Sequence, residues 1–452
     1  MTTVAPNRAS ETDTSFRSSE IRIRAGMPIC QTDLPLDWYQ EEFKVYAEEY
    51  LALRDRTPET VLPWMDRYIQ PALDHFGDSL LLLAHYYMGG EIVKLVERYG
   101  GTIADSYVLA LQAVRNPQSK TIVESAVHFM AESIAILAHP DQAVYITNPK
   151  AGCTMEMLAK EWMVEPLFDE LRDRFGDDLL VVTYMNTSGR LKALSGLTGG
   201  ATCTSSNARI IVDWALKQGK KVLFLPDEHL GDNVAGQLGI GPQGVYRLPG
   251  GQSAMHFRVD ALSSNERDQL DGAQMLLFGS YCGVHMVFRP EHVEYWRALG
   301  YRVLVHPECR REVVEAADGA GSTAYLWREM LGTPSGGKLA IATEGHFVRN
   351  AKEQAAMRGV EVVNLADVPG ADGSFGCGCA TMSRNDPPHL VALLDLLRRG
   401  NAPAINRVLP GDNVDERTGW RERLDASSRS EIARLARLAL EKMIELTESA
   451  GG

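Results

Sequence analysis

Residues 80–90 read LLLLAHYYMGG, a run of four leucines that leads directly into a histidine and two tyrosines. A short apolar run that ends in polar and glycine residues is typical of a buried strand of a parallel sheet. The same arrangement returns in LLVVTYMN at residues 179–186 and in YRVLVHPE at residues 301–308. The chain is therefore predicted to contain three copies of one strand-and-helix unit.

The repeat continues beyond the first strand of each unit. A helical stretch follows each polar cluster, and a glycine turn then leads to a hydroxyl residue that opens another helix, in GGTIADS (100–106), GGATCTS (199–205) and GAGST (319–323). The step from cluster to serine is 21, 21 and 16 residues. Each unit next reaches a histidine and then a cysteine; these are His128, His229 and His346, and Cys153, Cys282 and Cys379. Three copies of one layout are hard to obtain by chance.

The predicted fold places these repeated residues at one edge of each sheet. In parallel α/β units, ligands bind beyond the carboxyl ends of the strands, where the next helices begin. If the units pack around a pseudo-threefold axis, these edges converge on one central cavity. The N–H groups at a helix start carry partial positive charge and bind carboxylate or phosphate. Ser106, Ser205 and Ser322 thus either cap their own helices or also contact an anion.

The seven cysteines indicate reduced thiols rather than a disulfide framework, because their number is odd and they are widely scattered. Cys153, Cys282 and Cys379 lie 129 and 97 residues apart, unlike the closely spaced ligand pairs of structural zinc sites. Three thiolates with one free position suit a 4Fe–4S cluster with one iron open to substrate, although spacing alone does not separate it from a zinc hydrolase. Cys377 lies two residues before Cys379 and is the alternative third ligand.

Composition and charge disfavour two classes of partner. The net charge of −13 argues against nucleic acid, because phosphate backbones require a basic surface. No apolar run approaches the roughly 20 residues that cross a bilayer. The first residues, MTTVAPNRASETDTSF, lack the basic and apolar regions of a secretory signal. We therefore expect a cytoplasmic protein with no nucleic acid and no membrane partner.

At 452 residues the chain is too long for one ordinary core. The expected segments are a disordered or loosely attached tail (1–33), a helical extension (34–77), three αβα domains (78–176, 177–296 and 297–400) and a C-terminal tail and helix (401–452). Helical spacing predicts helices over LDWYQEEFKVYAEEYLALRDR and PETVLPWMDRYIQPALDHF in the extension and over SSRSEIARLARLALEKMIELTES in the tail. The expected fold class is α/β, with three similar parallel-sheet domains and extra terminal helices.

The motifs AHYYMGGEI, ADSYVLA, VHFMAES, AGCTMEM, CTSSNA, FLPDEHLG, CGVHMVFRPEHV, VHPECRREVVEAAD and CATM occur in this order within residues 78–400. In them the chain resembles the quinolinate synthase family, which acts in de novo NAD biosynthesis. The resemblance implies three αβα domains in a pseudo-threefold arrangement around one central 4Fe–4S cluster. Its three ligands would be Cys153 in AGC, Cys282 in C-x-x-H and Cys379 in C-x-x-M, with one iron open as a Lewis acid.

The same resemblance implies a reaction and the residues that perform it. The reaction is condensation of iminoaspartate with dihydroxyacetone phosphate to give quinolinate, phosphate and water, with a functional link to L-aspartate oxidase, which makes iminoaspartate. The implied catalytic residues are Glu308, His306, Tyr184 and His285. The implied substrate-binding residues are His85, Tyr87, Ser106, Asn186, Ser205, Ser322 and Thr323. We expect Glu308 and His306 to transfer protons with help from Tyr184, because imidazole both accepts and donates protons near neutral pH.

Two other functions stay open at this point. One is a different 4Fe–4S hydro-lyase on the same scaffold, which would not require a triose phosphate. The other is a non-catalytic metal- or cluster-binding protein, which a zinc content without sulfide would indicate. The repeated histidines His128, His229 and His346 are expected to cap helices or pair with backbone, and Cys203 and Cys309 to be core thiols. The chain departs from the family at IADS (103–106) and at GSY before Cys282.

Overall fold

The computed structural model describes residues 34–88, 90–369, 379, 381–415 and 420–451. The predicted tail at residues 1–33 and the alternative ligand Cys377 lie outside the described residues. No helix in the described part of the chain is long and apolar enough to span a bilayer.

The N-terminal extension contains the helices α1 (Lys44–Leu51) and α2 (Pro58–Phe76). The second coincides with its predicted range, because Thr57 and Thr60 form a capping box before the amphipathic segment. The first prediction was too long. Two 3₁₀ turns, Leu36–Trp38 and Glu41–Phe43, precede α1.

Tyr39 explains why the predicted first helix does not begin earlier. Its backbone is extended, its ring stacks on His389 with centroids 4.6 Å apart, and its hydroxyl donates to Asp386. Helix propensity is a weak preference that such tertiary contacts override.

The first unit forms a parallel sheet in the order β2-β1-β3-β4. Its elements are β1 (Leu80–His85), α3 (Gly90–Arg98), β2 (Thr102–Ala104), α4 (Ser106–Arg115), β3 (Thr121–Ser125), α5 (His128–Leu137), β4 (Ala143–Ile146), α6 (Thr154–Leu158) and α7 (Glu161–Phe175).

The second unit has five parallel strands in the order β6-β5-β7-β9-β8. Its elements are β5 (Leu179–Tyr184), α8 (Gly189–Leu197), β6 (Ala201–Cys203), α9 (Ala208–Lys217), β7 (Lys221–Leu225), α10 (Glu228–Gln237), β8 (Val245–Leu248), α11 (Ser264–Gly272), β9 (Met275–Phe278) and α12 (Pro290–Ala298). The added edge strand β8 and helix α11 lie between His229 and Cys282. The long interval between these two residues is therefore folded structure rather than a loop.

The third unit repeats the order of the first, as β11-β10-β12-β13. Its elements are β10 (Arg302–Val305), α13 (Arg311–Ala316), β11 (Gly319–Ala320), α14 (Thr323–Gly332), β12 (Lys338–Ala342), α15 (Gly345–Ala356), β13 (Glu361–Asn364) and α16 (Pro387–Arg398). The prediction of three similar α/β units is confirmed.

The C-terminal part contains an antiparallel pair, β14 (Asn413–Asp415) and β15 (Trp420–Glu422), and the long helix α17 (Ala426–Ala450). The predicted C-terminal helix is confirmed; it begins where the Asp425 carboxylate accepts the backbone N–H groups of Ser427 and Ser428. Helix α17 packs on α8 in the second unit so closely that a Cβ at Gly196 would lie 1.9 Å from the carbonyl oxygen of Leu435. A glycine is therefore required where these two helices meet.

Candidate active site

A central cavity lies where the carboxyl ends of the three sheets meet. The residues at the ends of β1, β5 and β10 line it in equivalent pairs, which are His85 and Tyr87, Tyr184 and Asn186, and His306 and Glu308. The cavity is also lined by Ser106, Ser205, Thr323, His285 and the three cysteines Cys153, Cys282 and Cys379. Repetition of one position in three units thus brings together residues that lie far apart in the sequence.

Of the predicted site residues, Ser322 alone does not line this cavity. Its hydroxyl oxygen accepts the backbone N–H of Tyr325 at 3.3 Å and so caps α14. Ser322 lines a neighbouring cleft instead, whereas Thr323 lines the cavity. An N-cap side chain folds back over its own helix, which accounts for the difference between adjacent hydroxyl residues.

The Glu308 carboxylate is the centre of a buried polar cluster. The Tyr184 hydroxyl donates to its Oε1 at 2.6 Å, and Nδ1 of His285 lies 2.8 Å from its Oε2. The His306 ring stacks on His285, with centroids 4.8 Å apart. Glu308 is only 3% exposed. The second and third units therefore supply a carboxylate, a phenol and two imidazoles that are in contact.

The electrostatic environment separates these groups into an anion and neutral partners. Burial alone would raise the pKa of Glu308, but the neighbouring His285 side chain and the hydrogen bond from the Tyr184 hydroxyl outweigh it and lower the pKa below its usual value. Burial lowers the pKa of His306 and of His85 to about 3, and it raises the pKa of Tyr184 well above the usual value. At neutral pH the carboxylate is therefore ionised, while the His85 and His306 rings and the Tyr184 phenol are uncharged.

Two histidines at equivalent positions share one tautomer. The backbone N–H of Tyr87 donates to Nδ1 of His85 at 3.1 Å, and the backbone N–H of Glu308 donates to Nδ1 of His306 at 3.4 Å. Because Nδ1 accepts in both rings, the neutral rings carry their proton on Nε2. Each histidine thus presents an N–H donor.

Each of the three cavity cysteines comes after the strand that is fourth in the strand order of its sheet. Cys153 follows β4, Cys282 follows β9 and Cys379 follows β13. Each unit thereby contributes one thiol at the same place in its topology.

Two buried carboxylates hold the backbone at two of these cysteines. Asp227 caps α10 and its Oδ2 accepts the backbone N–H of Cys282 at 3.2 Å. Glu344 caps α15 and its Oε1 accepts the backbone N–H of Cys379 at 2.8 Å. Both carboxylates follow the third strand of their sheet. The sequence reasoning missed them, although each stands two residues before one of the repeated histidines, in Asp227-Glu228-His229 and Glu344-Gly345-His346.

The repeated histidines themselves do not line the cavity. Nδ1 of His128 lies 3.3 Å from the Glu156 carboxylate, the ring of His229 lies beside Tyr281, and Nδ1 of His346 lies 2.9 Å from Glu344. A further residue missed from sequence is Thr343, whose hydroxyl lies 2.8 Å from the Tyr87 hydroxyl and 3.3 Å from Nε2 of His285.

The three thiols fit a positively charged metal group. Burial raises the pKa of all three. The Cys379 thiolate raises it further for Cys153, and the Glu308 carboxylate with the other two thiolates does so for Cys282, so the sulfur atoms are close enough to interact. Among the lining residues that the structure describes there is no lysine or arginine. A metal cation is then the partner that would stabilise the thiolates.

A second arrangement of ligand atoms overlaps the first. One ligand atom each of Cys282, His285 and Glu308 lies within 4.8 Å of the others, a set able to hold a single metal ion. The cavity thus contains a candidate metal site, with Cys282 common to both arrangements.

Comparison with known proteins agrees with the site. The family described as Quinolinate synthetase A protein matches residues 69–408. Quinolinate synthase of Acidobacterium capsulatum is 35% identical over 408 residues, which are 88% of this chain and 95% of the relative. Quinolinate synthase of Corynebacterium glutamicum is 33% identical over 92% of this chain and 94% of its own length.

A third relative, quinolinate synthase of Streptomyces coelicolor, is 36% identical over 83% of this chain and 86% of its own length. The matched region contains all three parallel sheets and every described residue that lines the central cavity. The chain belongs to the quinolinate synthase family of NAD biosynthesis enzymes.

Proposed function

We propose that the central cavity condenses iminoaspartate with dihydroxyacetone phosphate to form quinolinate, phosphate and water. The observation that carries this proposal is the meeting of three thiols with the Glu308, Tyr184 and His306 cluster in one buried cavity of a chain from this family. A binding protein has no need for an ionised carboxylate in contact with a phenol and two imidazoles. A hydro-lyase would use a similar cluster but would not require the triose phosphate.

The cofactor in this proposal is one 4Fe–4S cluster held by Cys153, Cys282 and Cys379, with one iron left without a protein ligand. The three-thiol set is favoured over the set of Cys282, His285 and Glu308 because it uses every thiol in the described lining of the cavity and leaves the hydrogen bond between Tyr184 and Glu308 intact. When bound, the cluster supplies a Lewis acid toward an oxygen or nitrogen atom of the substrate.

The negative groups of the substrates are bound in this proposal by hydroxyl and imidazole N–H donors. Ser106 and Thr323 begin α4 and α14, and Ser205 lies in the turn before α9, so each stands where helix N–H groups attract anions. The Nε2–H of His85 and the amide of Asn186 add further donors, and Tyr87 lines the same wall. These groups replace the lysine and arginine that anion sites commonly use.

In this proposal the Glu308 cluster carries out proton transfer. The ionised carboxylate accepts a proton from carbon or nitrogen as the ring closes. Tyr184, at 2.6 Å, donates its proton toward a departing oxygen and recovers one from Glu308. The Nε2–H of His306 donates a hydrogen bond, without giving up its proton, to a second oxygen, and His285 holds the carboxylate through Oε2.

The direct test is anaerobic purification followed by visible absorption, iron and sulfide analysis, and an assay for quinolinate with dihydroxyacetone phosphate and freshly generated iminoaspartate. We expect equal iron and sulfide, and quinolinate only when both substrates are present. A cluster without quinolinate would favour the hydro-lyase, and zinc without sulfide would favour the non-catalytic protein.

The proposed substrate has a consequence for partners and location. Iminoaspartate is unstable, so an oxidase that forms it from aspartate has to act nearby, which supports the functional link to L-aspartate oxidase. The described cysteines are all free thiols, which suits the reducing cytoplasm.

The C-terminal helix supports two of the proposed substrate-binding turns through one hydroxyl. Thr447 accepts a hydrogen bond from the Asn207 amide at 2.9 Å, and Asn207 in turn accepts the backbone N–H of Thr204, next to Ser205, at 2.6 Å. Thr447 also lies close to the side-chain hydroxyl of Tyr107, the neighbour of Ser106. Thr447 is therefore a positioning residue for both serine turns.

Replacing Thr447 by valine is expected to raise the KM for the substrates roughly fivefold, since about 1 kcal/mol of hydrogen bonding is lost, with little change in kcat. Steady-state kinetics measure this effect. Thr447→Ser keeps the hydroxyl and should restore the original KM. Equal KM values in the valine variant and the unmodified enzyme would contradict the positioning role.

A further inference from the structure

A second cavity, a cleft of about 510 Å³, adjoins the central one. Asp105 and Ser205 line both spaces. The walls of the cleft come from all three units and from the last turn of α17, through Thr447, Ala450 and Gly451. Because the residues around the Glu308 cluster are buried, substrates have to reach them from a neighbouring opening, and this cleft shares its boundary with the site.

Two arginines give the cleft a positive wall. Arg209 stands in the first turn of α9, and Arg328 stands in α14. Both side chains are exposed, and neither forms an ion pair with a carboxylate in the described part of the chain. The guanidinium of Arg328 lies over the Tyr325 ring at 5.9 Å from its centroid, a contact that holds it along the wall.

The helices that bear these arginines leave their positive charge uncompensated. Neither α9 nor α14 has an acidic residue in its first turn, although acidic residues are favoured there and cations are disfavoured. Asp105 also faces the cleft, but its carboxylate accepts the backbone N–H of Val108 and caps α4. Arg209, in the first turn of α9, is therefore stabilised when an external anion binds beside it.

The charge of the rest of the molecule does not attract an anionic substrate. The chain has a net charge of −13, which repels a dianion approaching from solvent. The described lining of the central cavity has no lysine or arginine to attract one. A cleft with charge opposite to the substrate raises its local concentration and its association rate.

We propose that the cleft is the entrance to the central cavity and that Arg209 and Arg328 bind the phosphate group of the triose phosphate there. Guanidinium groups bind phosphate through paired N–H donors. Ser322, which the sequence predicted as an anion ligand, lies in this cleft at the start of α14 and adds a third polar group. This assignment rests on the proposed function, because it names a phosphate monoester as substrate.

The kinetic test compares the double variant Arg209→Gln, Arg328→Gln with the unmodified enzyme at low ionic strength. We expect the kcat/KM for dihydroxyacetone phosphate to fall about tenfold with kcat unchanged, and its dependence on salt to flatten. Arg434→Gln is the control. It removes the same charge from an exposed arginine of α17 that pairs with Glu431, and it should leave kcat/KM unaltered.

A binding test with inorganic phosphate separates this proposal from the proposed function. Calorimetry at low salt should show phosphate binding to the unmodified enzyme and about tenfold weaker binding to the double variant. If the protein binds phosphate through these arginines but forms no quinolinate, the anion site is supported and the proposed synthesis of quinolinate is refuted. Unchanged phosphate binding and unchanged kcat/KM in the double variant would overturn the proposal that this cleft is the entrance. A rise confined to the KM for iminoaspartate would overturn the assignment to phosphate.

Discussion

Replacing Glu308 by glutamine is expected to lower kcat about a thousandfold, within the usual range for loss of a general base, while leaving the visible absorption of the metal centre unchanged. The amide has the shape of the carboxylate and still accepts a hydrogen bond from Tyr184, but it cannot accept a proton. Rapid-quench measurement of quinolinate gives the rate, and the absorption spectrum reports the proposed cluster in the same sample.

Glu312→Gln is the matched control for this substitution. Glu312 lies on α13, four residues from Glu308, and its side chain is exposed, so its replacement should alter neither measurement. Loss of absorption in Glu308→Gln would instead show that Glu308 holds the metal, as in the set with Cys282 and His285. A decrease of only a few fold would show that Glu308 serves as a hydrogen-bond acceptor and not as the base.

Replacing Cys282 by alanine is expected to remove both the visible absorption and all quinolinate formation. The two remaining thiols come from different units and cannot hold a four-iron cluster alone. Iron analysis of the anaerobically purified variant measures the loss directly. Cys203→Ala is the control, because Cys203 is buried at the end of β6 and does not line the cavity. It should keep its iron.

The same substitution at the other two positions tests the complete ligand set. Cys153→Ala and Cys379→Ala should behave as Cys282→Ala does. If the Cys379→Ala protein keeps its iron, the third ligand is Cys377 and not Cys379. Iron retained in all three variants would refute the cluster site.

Much of the fold could be predicted because its signals are local. The leucines of β1 and the polar residues after them are adjacent in the sequence, and so are the glycine turn and the serine that begins α4. Strand ends of this kind place their polar residues at one sheet edge, whatever the length of the connecting loops. The cavity residues at the ends of β1, β5 and β10 were predictable for this reason.

The remaining features depend on contacts between distant residues. Asp227 and Glu344 accept hydrogen bonds from the backbone of cysteines that lie 55 and 35 residues further along the chain. No local sequence pattern predicts these pairs. A signal was nevertheless present, since both units carry an acidic residue two positions before the repeated histidine.

Ser322 and Thr323 show a limit of a different kind. Two adjacent hydroxyl residues at a helix start are equivalent in a sequence, yet only one of them is the N-cap. A shift of one residue decides which hydroxyl lines the central cavity and which lines the cleft. Thr447 was outside any prediction because its partners, Asn207 and Tyr107, lie in the second and first units.

The distribution of the thiols among three sheets bears on how the protein matures. A ribosome releases Cys153 and Cys282 well before Cys379, and domains fold in that order as they emerge. If the three thiols hold one cluster, a nascent chain cannot keep iron until the third unit has left the ribosome. Iron delivery then has to follow synthesis of all three units, and chains terminated before residue 379 escape loading altogether.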